Sequence, residues 1–183
     1  MDLKIVTNSY HPGGNTMLSE SMAKSINSHL NTEHFSAQLY LSMSSAAGVM
    51  GFKGAATWFM VQYQEEMAHF MKFYNYLTSQ GVLVKFVTAD IPNDYKSLLE
   101  MYEKTLTHEQ HITKAMNNLM DHAVKESDHA TQIFLQWFIT EQVEEEENDR
   151  DIIGKLKLIG DNGYGLLMLD NELGQRVFVP PPA

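Results

Sequence analysis

No cysteine occurs among the 183 residues. That absence removes a disulfide framework, an iron–sulfur cluster and any thiolate metal site, leaving oxygen and imidazole donors for whatever metal the chain binds. Basic residues are also scarce: 13 Lys and Arg stand against 23 Asp and Glu, for a formal charge of −10. Phosphate contacts need clustered Lys and Arg, so no nucleic-acid partner is expected, and cations are the natural partners of such a chain. There is no apolar run of the ~18 residues that a membrane span needs. Nor does the N-terminus carry a basic stretch leading into an apolar core. No membrane partner is expected, and the expected location is cytoplasmic.

What the chain does have is helical period. Residues 1–16, with the breakers His11-Pro12-Gly13-Gly14, read as a flexible N-terminal arm or a non-native extension. Four long periodic segments follow at roughly 19–47, 54–80, 94–123 and 129–159, each about 40 to 47 Å at 1.5 Å per residue. The breaks at 48–54 and 125–128 are short and suit antiparallel neighbours, whereas 81–93 is long enough to run the length of a bundle despite its β-prone Val82-Leu83-Val84. The expected fold is therefore all-α, a four-helix bundle with a long crossover. A short amphipathic fifth helix, about 164–173, carries Leu166, Leu167, Leu169 and Leu173. It reads equally as a cap on its own bundle or as a contact between subunits. The domain is expected to cover 17–175, with 176–183 as a C-terminal tail.

Each long segment carries one glutamate in its apolar stripe, about halfway along. Glu33 falls in the series Ile26, Leu30, Ala37, Tyr40 and Leu41, and Glu66 among Phe59, Tyr63, Phe70, Phe73 and Leu77. Glu109 lies between Leu106 and Ile112, and Glu145 follows Phe138, Glu141 and Gln142. His69, three residues after Glu66, shares its helix face. Midpoints of antiparallel rods meet, so four carboxylates and one imidazole converge. Any single stripe glutamate is also readable as a rim residue; the coincidence of four is the signal. Isolated buried carboxylates cost several kcal/mol unless protonated, paired or metal-bound. Basic partners are missing from the stripes, so two hard or borderline ions such as iron or manganese are the natural occupants. Glu144 to Glu147 span just over one turn, and phase alone selects Glu145. His34, His108, His111, His122 and His129 lack a comparably spaced acid and read as surface or outer-layer residues.

These residues resemble a known family. Asn31-Thr32-Glu33, Gln64-Glu65-Glu66-Met67-Ala68-His69 and the run Phe134 to Gln142 are similar to bacterial non-haem ferritins over about 17–175. The resemblance implies a ferroxidase that oxidises Fe(II) with O2 or H2O2 and stores ferric mineral in a hollow homo-oligomer, a 24-mer. It implies a first iron site of Glu33, Glu66 and His69, and a second of Glu66, Glu109 and Glu145 bridged by Glu66, with Gln142 beside them. Tyr40 and Trp137 match neighbouring aromatics, for which core packing is the alternative role. Glu65, Glu141 and Glu144 match a third, outer iron site. No second Glu-x-x-His is present, which separates the chain from bacterioferritins. Met67 fills the slot of their haem-ligating methionine but also fits plain packing, and no haem is expected. Gln132 and Leu135 stand where animal ferritins carry channel acids, so the entry route stays open, with Asp121, Glu126 and Asp128 nearby in sequence. The alternatives are a di-iron or di-manganese oxidoreductase that keeps its two metals, and a metal-free helical assembly protein.

Overall fold

The structure, a computed structural model, describes residues 18–181. The expected N-terminal extension at 1–16 lies outside the described residues. Five helices follow in order: α1 (Glu20–Met50), α2 (Lys53–Ser79), α3 (Leu98–Lys125), α4 (His129–Ile159) and α5 (Gly163–Leu173). Among the described residues there is no strand, and no helix is long and apolar enough to cross a membrane. Helix α1 lies along α2 and α3 along α4, α1 also touches α3, and α5 closes one end against α2 and α4.

Local chemistry sets the helix limits, and in two places it overrides the apolar period. The third helix begins at Leu98 rather than near 94, because Ser97 accepts from Glu100 N at 3.1 Å while the Glu100 carboxylate accepts from Lys96 N at 2.7 Å. The first helix runs through Gly48 to Met50, since the left-handed residue that stops it is Gly51, with φ 94°. The crossover, residues 80–97, does not use its β-prone run to pair with a strand. Instead, Asn27 and Asn31 of α1 accept from the backbone N–H groups of Lys85 and Val87 at 2.7 and 2.8 Å, and both amides donate to Lys85 O.

Helix α2 has no side-chain cap of its own at Phe52. Asp170 of α5 supplies one, accepting from Ala55 N at 2.9 Å. Gly54 makes this approach possible: a Cβ there would lie 1.6 Å from Asp170 O. Helix α5 thus packs on its own bundle, while Tyr164, Leu167 and Met168 stay exposed on its other side.

The core is split. One apolar cluster gathers Tyr40, Phe59, Tyr102, Ile152 and Leu156, and the other Ile26, Leu30, Phe73, Leu135 and Phe138. Buried polar side chains lie at the level between them. Leu41, expected in the α1 stripe, is 40% exposed. The inward positions there are Tyr40, Met43 and Ser44, because over these turns the stripe follows the 3.6-residue pitch away from position 41.

Candidate metal centre

The polar belt brings together side chains from all four long helices. Glu33, Glu66, His69, Glu109, Gln142 and Glu145 are all buried. One donor atom each from Glu33, Glu66 and His69 lies within 4.8 Å of the others. His69 Nδ1 stands 3.7 Å from Glu33 Oε2 and 3.5 Å from Glu66 Oε2, a fan of donors open to a shared cation. Across the bundle, Glu109 is held from two sides. Tyr40 donates its hydroxyl to Oε1, and Gln142 Nε2 donates to Oε2 at 3.1 Å. Glu145 accepts from Gln62 Nε2 at 2.9 Å. Trp137 and Phe138 pack edge-on against the His69 ring, with centroids 5.3 and 5.7 Å away, which fixes the plane of the imidazole.

The electrostatics follow from burial without Lys or Arg, neither of which is buried among the described residues. Burial, and then the charge of Glu33, push Glu66 well above the carboxylate range. Glu109 rises to about 8, through burial and then Glu145. Burial alone would raise Glu33 too, but the attraction of His29 and its contacts with His69 outweigh it and hold Glu33 low. Burial opposes charge on His69, yet its two carboxylate partners raise it well above the usual range. The belt therefore carries protons that a divalent ion can displace, so metal binding is coupled to proton release.

A helical bundle with mid-helix acids is shared by several enzyme classes; sequence comparison separates them. Residues 23–159 match the family model of the ferritin-like domain. The chain belongs to the ferritin family. It is 40% identical over 159 residues to a probable bacterial non-haem ferritin-like protein of Haemophilus influenzae, covering 86% of this chain and 96% of that one. It is 41% identical over 158 residues to a bacterial non-haem ferritin of Campylobacter jejuni, covering 86% and 95%. Among solved structures, an open-pore ferritin from the archaeon Archaeoglobus fulgidus superposes with a TM-score of 0.86 at 42% identity, covering 87% of this chain and 98% of that one.

The outer acids of this ferritin-family chain are arranged differently from the inner ones. Glu65 is bound by Arg176 Nη2 at 2.6 Å, and burial, opposed by Arg176, lifts its carboxyl to about 7. Glu141 is half-buried and Glu144 exposed. Among the described residues only Glu33, Glu66 and His69 form one group of mutually close ligand atoms; these three outer acids do not, and neither do Glu66, Glu109 and Glu145. Arg176 lies in the segment read as a tail, yet its guanidinium sits 4.6 Å over the Trp58 ring. His108, read as an outer-layer residue, contacts Ser36 Oγ through Nε2 at 2.7 Å, and burial lowers it to about 4, leaving a neutral imidazole.

Three buried residues of the belt were not singled out in the sequence: His29, Gln62 and Asp149. Each lies one helical turn from a stripe glutamate, and that i±4 spacing is the signal that finds them. Asp149 is the most costly, for it is fully buried and neither carboxylate oxygen has a hydrogen-bond partner. Burial, then Glu109 and Glu145, raise it to about 9 from 3.8. Its contribution to stability is thus fully present below pH ~4 and is lost as pH rises towards 9, by as much as ~1.4 kcal/mol per pH unit. Asp149→Asn keeps the shape and removes that loss. Its thermal midpoint, measured by calorimetry without metal, is expected to exceed the parent's by more at pH 8.5 than at pH 6.

Proposed function

We propose that this chain is an iron-storage ferroxidase. Two Fe(II) ions bind side by side, one at Glu33, Glu66 and His69 and the other at Glu66, Glu109 and Glu145, with Glu66 between them. The observation that carries this reading is a belt of buried acids from all four long helices, with the imidazoles of His69 and His29 and, among the described residues, no buried Lys or Arg. Two Fe(II) ions supply two electrons; O2 takes them with two protons to give H2O2, and H2O2 takes two more with two protons to give water. Tyr40 and Gln142 fix both oxygens of Glu109, so the second ion meets an oriented ligand.

Carboxylates suit turnover because hard oxygen favours Fe(III) without the strong nitrogen field that would trap it. Product ions then leave for the interior of a 24-subunit shell and hydrolyse to mineral. Glu65, Glu141 and Glu144 serve as an outer iron position on that path, where an arriving ion competes with Arg176 for Glu65.

The test is aerobic addition of Fe(II) in several-hundred-fold excess over chains, followed by sizing chromatography with iron assayed in the protein peak. Many tens of ferric ions per chain in a large particle are expected. About two per chain would instead mark an oxidoreductase that retains its metals, and none would leave a metal-free assembly protein.

A further inference from the structure

The iron ligands proposed above do not include His29, a second buried imidazole beside Glu33. Its Nε2 lies 2.6 Å from Glu33 Oε1 and has no other polar partner among the described residues. Glu33 therefore faces an imidazole nitrogen with each oxygen: His29 at Oε1, and His69 at Oε2 at 3.7 Å. The inner group of mutually close donors contains Glu33, Glu66 and His69 but not His29, so the His29 side of Glu33 is a distinct position. Phe73 packs edge-on to the His29 ring, with centroids 4.9 Å apart, and holds it in place.

His29 also lines the floor of a groove of about 270 Å³ between α1 and α3. The groove walls carry Ser25, Ser28 and Thr32 from α1 and Asn118 and His122 from α3, with the apolar Ala115 and Leu119 among them. At one end His122 contacts Ser25 at 3.2 Å and Glu126 at 2.9 Å. Glu126 is ionised at any physiological pH, since the hydroxyls of Ser19 and Ser21 lower it to about 2. Hydroxyls, an amide and the His122 imidazole, itself bonded to the Glu126 carboxylate, thus lead along the groove to His29, and Glu33 lies directly behind its Nε2.

We infer that His29 Nε2 and Glu33 Oε1 form a landing position for an incoming divalent transition-metal ion, reached through the α1–α3 groove, from which the ion passes to the far oxygen of Glu33. The inference rests on the two-iron reading of the inner centre. Two protein donors, with water from the groove completing the shell, hold an ion loosely, as a transit position requires. The nitrogen selects borderline ions such as Fe(II), Co(II) and Zn(II) over Mg(II) and Ca(II). Glu33 acts as the pivot, because its two oxygens belong one to each position.

The experiment is anaerobic stopped-flow mixing of Co(II) with the assembled protein, following the visible absorption of the bound ion, for the parent, His29→Gln and Asn118→Lys. Gln preserves length and polarity without the imidazole, while Lys puts a cation in the groove and leaves Glu33 and His29 untouched. Association at sub-saturating Co(II) is expected to slow at least five-fold in both variants, with the final spectrum and the number of tightly bound ions unchanged. If His29 merely orients Glu33, His29→Gln changes the final spectrum or the affinity, and Asn118→Lys has no effect; that result overturns the inference. Parent-like association in both variants overturns it as well. Should His29→Gln fail to fold, Asn118→Lys alone decides. A parent that binds no Co(II) pair and oxidises no Fe(II) would instead defeat the underlying two-iron reading.

Discussion

Glu66→Gln is expected to lower the initial rate of Fe(II) oxidation at least 100-fold while leaving the metal-free bundle folded and more stable. Glu66 is 3% exposed, and its Oε2 has no hydrogen-bond partner. Burial and the neighbouring charge of Glu33 both work against its ionised form. Glutamine keeps the volume but cannot supply the anionic bridge between two cations. Removing a buried acid whose burial cost outweighs what its one imidazole partner returns typically stabilises a fold by ~1–3 kcal/mol. The two readouts are stopped-flow oxidation at two Fe(II) per chain and a calorimetric midpoint without metal. Loss of oxidation with a raised midpoint is the expected pair. A lowered midpoint would mean that Glu66 serves the fold as the partner of His69, and undiminished oxidation would sink the bridging role.

Gly54→Ala is expected to release α5 from the bundle. The added Cβ would fall 1.6 Å from Asp170 O and 2.5 Å from its carbonyl carbon, both backbone atoms, so no side-chain adjustment relieves it. Either α2 or α5 must move. Movement also strips the Asp170 carboxylate from Ala55 N, the one side-chain cap at the start of α2. Overpacking of this kind costs ~1–3 kcal/mol and sometimes more, and losing a cap adds ~1 kcal/mol. The measurement is limited proteolysis in the 160–163 turn, alongside the thermal midpoint. Faster cleavage there and a midpoint several degrees lower are expected. Gly154→Ala is the control: no heavy atom lies within 4 Å of its added Cβ, and Ala in a helix interior favours the fold. Equal behaviour of the two variants would show that the Gly54 contact is dispensable.

The burial of the four stripe acids was legible because they interrupt an otherwise apolar stripe at the same depth in each of the four long helices, a pattern that period 3.6 makes visible. His29, Gln62 and Asp149 occupy that same stripe. Read for apolar recurrence they look like gaps, and only the i±4 relation to a neighbouring glutamate assigns them to the belt. Arg176 was beyond such reasoning. It reaches Glu65 across 111 positions of sequence, and nothing local announces a guanidinium folding back onto Trp58. Helix limits failed where a cap outranked the hydrophobic pattern, at Ser97 and Gly51. The β-prone Val82-Leu83-Val84 belongs to the crossover, as expected: strand propensity expresses itself only beside another strand, and the neighbour here is a pair of asparagine side chains.

Under the two-iron reading, the distribution of the proposed ligands along the chain makes redox competence depend on tertiary assembly. The α1–α2 hairpin carries Glu33, Glu66 and His69, and the α3–α4 hairpin carries Glu109, Gln142 and Glu145. The crossover at 80–97 separates them in sequence. Under the two-iron reading, the first hairpin alone can seat a single ion, which delivers one electron at a time. Paired delivery starts only after the second hairpin docks. A partly folded chain therefore lacks the two-electron route, and the location of the ligands acts as a checkpoint between folding and oxygen chemistry.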